Sequence, residues 1–90
     1  MTLEFRTTGR FGNEFSIAMK RGKDVSKLQA VMRAMVQEVP LDPRLRDHAL
    51  KGEFAGRREC HVEPDWLLIY KREPGVVIFE RTGTHADRFE

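Results

Sequence analysis

Hydrophobic positions repeat along the chain with two different periods, and these periods predict an α+β fold. In residues 25–39, apolar side chains recur every three or four positions, the spacing of one helical face. Residues 10–20 show a weaker form of this spacing, so two helices are predicted in the N-terminal half. Asp24 is suited to cap the second helix, Gly22 to end the first and Pro40 to end the second.

The C-terminal half predicts three short strands joined by proline-containing turns. The strand-like runs are residues 57–62, 66–72 and 76–82, and the connections between them are too short for parallel pairing. With a further strand at residues 3–6, the expected architecture is an antiparallel sheet, made of the N-terminal strand and a three-stranded meander. Two helices should pack on one face, with the other face open to a ligand. Residues 40–57 are expected to form a loop with one helical turn.

Length and composition narrow the class of protein. Ninety residues predict a single domain, 1–90. No apolar run approaches the roughly 20 residues of a membrane span, and the single cysteine, Cys60, cannot form an internal disulfide. Both observations favour a cytoplasmic protein without a membrane partner. The net charge is only +2, but eleven of the sixteen cationic residues are arginine, which fits either a solvated mixed-charge surface or a polyanionic partner.

Hairpin geometry gathers the chemically distinctive residues at one end of the sheet. A turn at 73–75 brings Trp66 near Thr82, and a turn at 64–65 brings His61 near Leu67 or Leu68. Groups for proton transfer near neutral pH, phosphate binding and base stacking are then available together, and these are the parts needed to cleave a phosphodiester. Each member also has a structural alternative: a solvated histidine, an Arg81–Asp65 ion pair, a core tryptophan. The predicted cluster contains His61, Asp65, Trp66, Arg81 and His85.

Neither a metal centre nor a cysteine nucleophile is expected. Zinc sites need closely spaced ligands, whereas the adjacent Cys60 and His61 point to opposite sides of a strand. Cys60 also lies in the middle of a strand, where burial leaves a thiol unreactive. We therefore expect no metal and no cofactor.

Three long motifs resemble one known family. RDHALKG at residues 46–52, RECHVEPDW at 58–66 and RTGTH at 81–85 are similar to the YafQ-type toxins of the RelE/ParE superfamily. The resemblance implies a RelE-like microbial RNase fold and a toxin of a type II toxin–antitoxin system. Such toxins enter the A site of the 70S ribosome and cut the messenger RNA there, and a cognate antitoxin silences them in a hetero-oligomeric complex.

The resemblance also implies which residues transfer protons. The expected reaction is a metal-independent transesterification, in which the ribose 2′-hydroxyl attacks the adjacent phosphorus. His85 is expected to be the general acid, and either His61 or Asp65 the general base.

The remaining roles concern phosphate and base contacts. His48 is expected to support the phosphate or to share in proton transfer, and Arg81 to hold the non-bridging oxygens. Trp66 and Phe89 are expected to stack on the bases. Two other functions stay open: a gyrase-inhibiting toxin like ParE, which shares the fold but acts by binding, and a non-catalytic module that binds RNA or protein.

Overall fold

The fold is a five-stranded sheet with two helices against one face, and a computed structural model describes it for residues 2–85. The strand order is β1-β5-β4-β3-β2, and short 3₁₀ turns occur at Pro43–Leu45 and Gly52–Phe54. The elements are β1 (Glu4–Thr7), α1 (Gly9–Lys20), α2 (Val25–Val36), β2 (His48–Ala49), β3 (Arg58–Glu63), β4 (Trp66–Glu73) and β5 (Val76–Gly83).

The sheet is mixed, so the expectation of a wholly antiparallel sheet is wrong for one pair of strands. β1 runs parallel to β5, with Glu4 opposite Val76 and Thr7 opposite Phe79. Parallel pairing requires a long return connection, which α1, α2 and the following strands supply. The meander itself is antiparallel, as predicted. A fifth strand, β2, lies within the segment predicted as a loop and pairs antiparallel with β3.

Local capping explains where the two helices begin and end. The Thr8 hydroxyl accepts a hydrogen bond from Phe11 N–H (3.0 Å) at the start of α1, and Gly22 adopts φ +78° after its end. Asp24 caps α2, as predicted. That helix ends at Val36 rather than at Pro40, because Glu38 turns into the left-handed region at φ 56°. No helix in the described part of the chain is long and apolar enough to cross a bilayer.

The main core lies between the helices and the inner face of the sheet. Leu28, Leu68 and Phe79 are fully buried there, and α1 and α2 both pack on this face. We had expected the opposite face of the sheet to be open to a ligand, but part of it is covered. Leu50 and Phe54, from the connection between β2 and β3, cover Leu67 and Ile69 of β4. The end of the sheet where β3 and β4 turn is accessible, since Pro64 and Asp65 are exposed.

Candidate active site

The hairpin between β3 and β4 places the central histidine of the site. His61 lies opposite Leu67, one of the two positions that the turn at 64–65 allowed, and therefore shares the face of the sheet that carries Leu67 and Ile69. Its neighbour Cys60 lies opposite Leu68 and points into the core. The alternation of a strand thus separates a buried thiol from a half-buried imidazole at consecutive positions.

Three histidines form a row at this end of the sheet. The ring centroids of His48 and His61 are 6.2 Å apart, and those of His61 and His85 are 6.0 Å apart. His48 reaches the row because β2 pairs with β3, which sets it opposite Glu59. A hydrogen bond reaches about 3 Å from a ring nitrogen. One phosphate group bound in this row can therefore contact two neighbouring rings.

His85 is held by Asp65 at one end of the row. Its backbone N–H and its ring Nδ1 both lie within hydrogen-bond distance of Asp65 Oδ1, at 3.0 and 2.6 Å. A carboxylate only accepts, so Nδ1 carries the proton in this arrangement and Nε2 faces outward. The backbone hydrogen bond from His85, followed by its ring contact, lowers the pKa of Asp65 below the usual 3.8.

His48 occupies the other end of the row between two oxygen acceptors. Its Nδ1 lies 2.6 Å from the carbonyl oxygen of Arg46, and its Nε2 lies 3.4 Å from Glu59 Oε1. The short contact to the carbonyl fixes the ring orientation, because Nδ1 must donate to it. The carboxylate of Glu59 is largely buried, whereas the His48 side chain is about half exposed.

The two nitrogens of His61 have different surroundings. Nδ1 is buried and has no hydrogen-bond partner among residues 2–85. Nε2 is therefore the nitrogen that can meet a ligand. An unpaired buried polar atom costs stability, and a catalytic role is one of the reasons for which proteins retain such an atom.

Arg81 is held by α1. Its Nε and Nη2 donate to both carboxylate oxygens of Glu14 at 2.7–3.1 Å, and the Thr82 N–H also donates to Glu14 Oε1 at 3.2 Å. The side chain of Arg81 is only 13% exposed. The alternative of an Arg81–Asp65 ion pair therefore gives way to two separate pairs, Arg81–Glu14 and Asp65–His85.

The expectation that Trp66 stacks on a base is wrong for this conformation. Trp66 has no exposed surface, packs in the main core, and donates from Nε1 to the Thr82 hydroxyl at 3.0 Å. Its position next to Thr82 was predicted, but its ring faces the interior, so the alternative of a core tryptophan is the correct one. The other expected stacking residue, Phe89, lies outside the described residues.

Cys60 behaves as the sequence predicted. It is fully buried, and burial raises the pKa of its thiol to about 12, so the nucleophilic thiolate is disfavoured. Within residues 2–85, no three side chains of His, Cys, Asp or Glu converge as a shared metal site would require.

Three residues that contact the site had not been singled out from the sequence. Glu59 could have been found from its strand position, two residues before His61 on the same face. Glu14 and the carbonyl of Arg46 gave no such signal, because their contacts depend on how α1 and the 3₁₀ turn pack on the sheet.

Residues 3–90 match the model of a family described as the bacterial toxin of type II toxin–antitoxin systems, YafQ. The chain belongs to the YafQ toxin family. A YafQ relative from Escherichia coli K12, named an mRNA interferase toxin, is 43% identical over 83 residues, which are 91% of this chain and 90% of the relative.

Two solved YafQ structures share the fold over almost the whole chain. YafQ from E. coli BL21(DE3) superposes with a TM-score of 0.92 at 39% identity, covering 98% of this chain and 99% of the other. The E. coli DinJ–YafQ toxin–antitoxin complex gives a TM-score of 0.90 at 40% identity and covers 100% of both chains. The RelE-like α+β fold implied by the motifs is therefore confirmed, with the mixed sheet described above.

Proposed function

We propose that this chain is an mRNA interferase, an endoribonuclease that cuts message in the ribosomal A site. The observation that carries the proposal is the row of three histidines with Asp65 bound to its outer member. The name of the 43% identical relative supports the same activity. A site with two exposed imidazoles and a half-buried one between them suits proton transfer at neutral pH better than it suits binding alone.

The proposed reaction uses the substrate's own nucleophile. The ribose 2′-oxygen forms a bond to the adjacent phosphorus while the bond from phosphorus to the 5′-oxygen breaks. The 2′-proton passes to a base on the protein, and a second proton passes from the protein to the leaving 5′-oxygen. The products are a 2′,3′-cyclic phosphate and a 5′-hydroxyl end. The atoms and protons of this reaction balance without an activated water or a metal ion.

We assign His85 as the acid and His61 as the base. Asp65 directs His85 through Nδ1, so that Nε2 can deliver a proton to the leaving oxygen. Asp65 is the weaker candidate for the base, since Oδ1 already accepts from His85 and its pKa is lowered. Of the two bases that the sequence left open, we choose His61, whose ring centroid lies 6.0 Å from that of the acid; the basic nitrogen would be Nε2, because Nδ1 is buried.

His48 and Arg81 would then stabilise charge. The His48 ring is oriented by the carbonyl of Arg46, and an incoming phosphate oxygen would replace Glu59 as the partner of Nε2. The Arg81 guanidinium is positioned by the two oxygens of Glu14, and its positive charge would stabilise the non-bridging oxygens of the phosphate.

The partners we propose are a cognate antitoxin, the 70S ribosome and its A-site message, all in the cytoplasm. The DinJ–YafQ complex supports the antitoxin, since this chain superposes on that complex's toxin component over its full length. Ribosome dependence fits a site that is open and shallow, because half of each terminal imidazole is exposed and water is not excluded by the protein alone.

The decisive experiment adds the purified chain to messenger RNA, either free or held in translating ribosomes, and maps the new ends. Cuts in codon register, present only in ribosome-bound message and ending in a cyclic phosphate, are expected. Gyrase inhibition without RNA cleavage would favour the ParE-like alternative, and RNA binding without cleavage would favour the non-catalytic module.

Metal independence is tested in the same assay. A chelator selective for transition metals leaves the magnesium that maintains the ribosome and should leave the cleavage rate unchanged. Loss of activity that zinc restores would overturn the acid–base mechanism while preserving the nuclease assignment.

A further inference from the structure

A groove beside the histidine row extends the site toward α2. It has a volume of about 1160 Å³ and runs between α2 and the segment 42–46, with His61 and His85 at its margin. Pockets for small molecules usually measure roughly 300–1,000 Å³. A groove of this size that opens directly onto the proposed reaction site has room for a short stretch of nucleic acid.

The cations that line this groove are not equivalent. Lys27 is bound to Glu63 at 2.8 Å, and Arg44 is bound to Asp42 at 2.8 Å. Arg46 is exposed, lines the same groove, and has no acidic partner among the described residues. Of the two arginines that line the groove, Arg46 is therefore the one whose charge no carboxylate of the described residues compensates. Its planar guanidinium matches the geometry of a phosphate group.

The backbone of Arg46 is also held in an unusual conformation. With φ 53° and ψ 45°, it occupies the left-handed region, which residues with a Cβ rarely adopt. This conformation lets its carbonyl meet His48 Nδ1 at 2.6 Å. Backbone strain of this kind persists where the surroundings enforce it, often at functional sites.

The following residue, Asp47, anchors the segment to the sheet. The Tyr70 hydroxyl donates to Asp47 Oδ1 at 2.6 Å, and Arg58 Nε donates to the same oxygen at 3.2 Å. Burial, together with Asp47, raises the pKa of Tyr70 well above its usual value, so this hydroxyl remains a donor. Arg46 is thus presented to the groove from a fixed backbone rather than from a free loop.

We propose that Arg46 binds a backbone phosphate of the message adjacent to the one that is cleaved, and that the groove between α2 and segment 42–46 holds the flanking nucleotide. This inference rests on the proposed ribonuclease function and adds to it a binding residue outside the proton-transfer groups. It also gives Arg46 two separable parts: a side chain that binds phosphate and a carbonyl that orients His48.

The test is a titration of the purified chain with an RNA tetranucleotide carrying 2′-O-methyl riboses, which cannot cleave itself, followed by NMR of the His61 and His85 ring signals. Arg46→Ala should raise Kd about tenfold, the effect of one lost charge-assisted contact. It should also lower the slope of log K against log salt by about 0.7. Arg33→Ala, which removes an exposed arginine of α2 outside this groove, is the matched control and should change Kd less than twofold.

Arg46→Lys and Arg46→Gly separate the two parts of the residue. Lysine keeps the charge and should retain most of the salt slope. Glycine removes the side chain but accepts the left-handed backbone without strain, so it should bind RNA as weakly as Arg46→Ala while leaving the His48 ring signals in place.

Identical Kd values for Arg46→Ala and the wild type overturn the inference, as does a wild-type chain whose His61 and His85 signals do not respond to millimolar RNA. Neither result decides the proposed function, which is tested separately by codon-phased cleavage on ribosomes. If the wild type fails to cleave there, the proposed function fails regardless of Arg46.

Discussion

The helix-side core and the histidine row use the same strands, yet they differ in every property that matters for function. Trp66, Leu68 and Phe79 have no exposed surface, whereas the side chains of Asp65 and His85 are 66% and 60% exposed. Consecutive residues belong to different regions, since Cys60 is in the core and His61 is in the row. Because strand side chains alternate between faces, a short motif can specify stability and chemistry together. A substitution in one region should therefore leave the other nearly unchanged.

The largest expected effect is on chemistry, from His85→Ala. Loss of the general acid should slow single-turnover cleavage on translating ribosomes by about 10²- to 10⁴-fold. The melting temperature should hardly move, because the ring is exposed. The contacts described for it are with Asp65, which is similarly exposed, and with the neighbouring imidazole of His61. Cleavage at the wild-type rate by a folded His85→Ala protein would remove this residue from the mechanism.

The opposite pattern is expected for Trp66→Ala. Removal of a fully buried indole should cost about 3–5 kcal/mol of unfolding free energy, a large share of the roughly 5–15 kcal/mol of a typical domain. Denaturant unfolding measures the loss, and the cleavage rate per folded molecule should stay within a few-fold of wild type. If Trp66→Phe, which retains an aromatic ring, alone restores the rate without restoring stability, the ring acts on RNA and our assignment to the core is incomplete.

Arg81→Lys tests a residue that belongs partly to both regions. Lysine keeps the charge but cannot reproduce the two-pronged contact with Glu14. We expect a decrease of about 10²-fold in single-turnover rate, as for the loss of one oriented donor to a transition state, and little change in ribosome binding.

Glu14→Gln is the matched variant for this pair. The amide oxygen can still accept from Thr82 N–H and Arg81 Nε, but the NH2 group no longer accepts from Arg81 Nη2, so a positioning role predicts a modest loss of rate. A faster reaction in Glu14→Gln would instead mean that Glu14 competes with the phosphate for Arg81. Equal losses of rate and ribosome binding in Arg81→Lys would mean that the arginine only anchors the complex.

Contacts close in sequence were predictable, and those that depend on packing were not. The turns narrowed the partner of His61 to Leu67 or Leu68 and placed Trp66 near Thr82, and a register shift between His61 and Glu63 selects Leu67. The Glu14–Arg81 pair spans 67 residues. No local pattern encodes such a contact, and the same is true of the direction of β1. The inward orientation of Trp66 was also undetermined, since a slip of one residue in register reverses the face.

His48 was assigned to the site by the family resemblance and not by the periodicity of its own segment. Its segment reads as a loop because it contains Pro43 and Gly52, and only the resemblance to toxin motifs brought it into the site. The structure brings it there through a two-residue strand, β2, which is too short to leave a periodic signal.

The smallest expected effect concerns Asp65→Asn, and it appears as a dependence of stability on pH. The folded-state pKa of Asp65 is below its unfolded value, chiefly because of the backbone hydrogen bond from His85. The carboxylate therefore stabilises the fold above the unfolded pKa of about 3.8, and this contribution is lost as pH falls through the folded pKa. The difference in melting temperature between wild type and Asp65→Asn should be small and constant above pH 5, and it should vanish toward pH 2.

Asp24→Asn is the control, since Asp24 also has a lowered pKa but caps α2 away from the row, so it should show a similar acid dependence with full cleavage activity. A difference for Asp65→Asn that persists unchanged at pH 2 would mean that the residue acts on the fold through packing rather than through its charge.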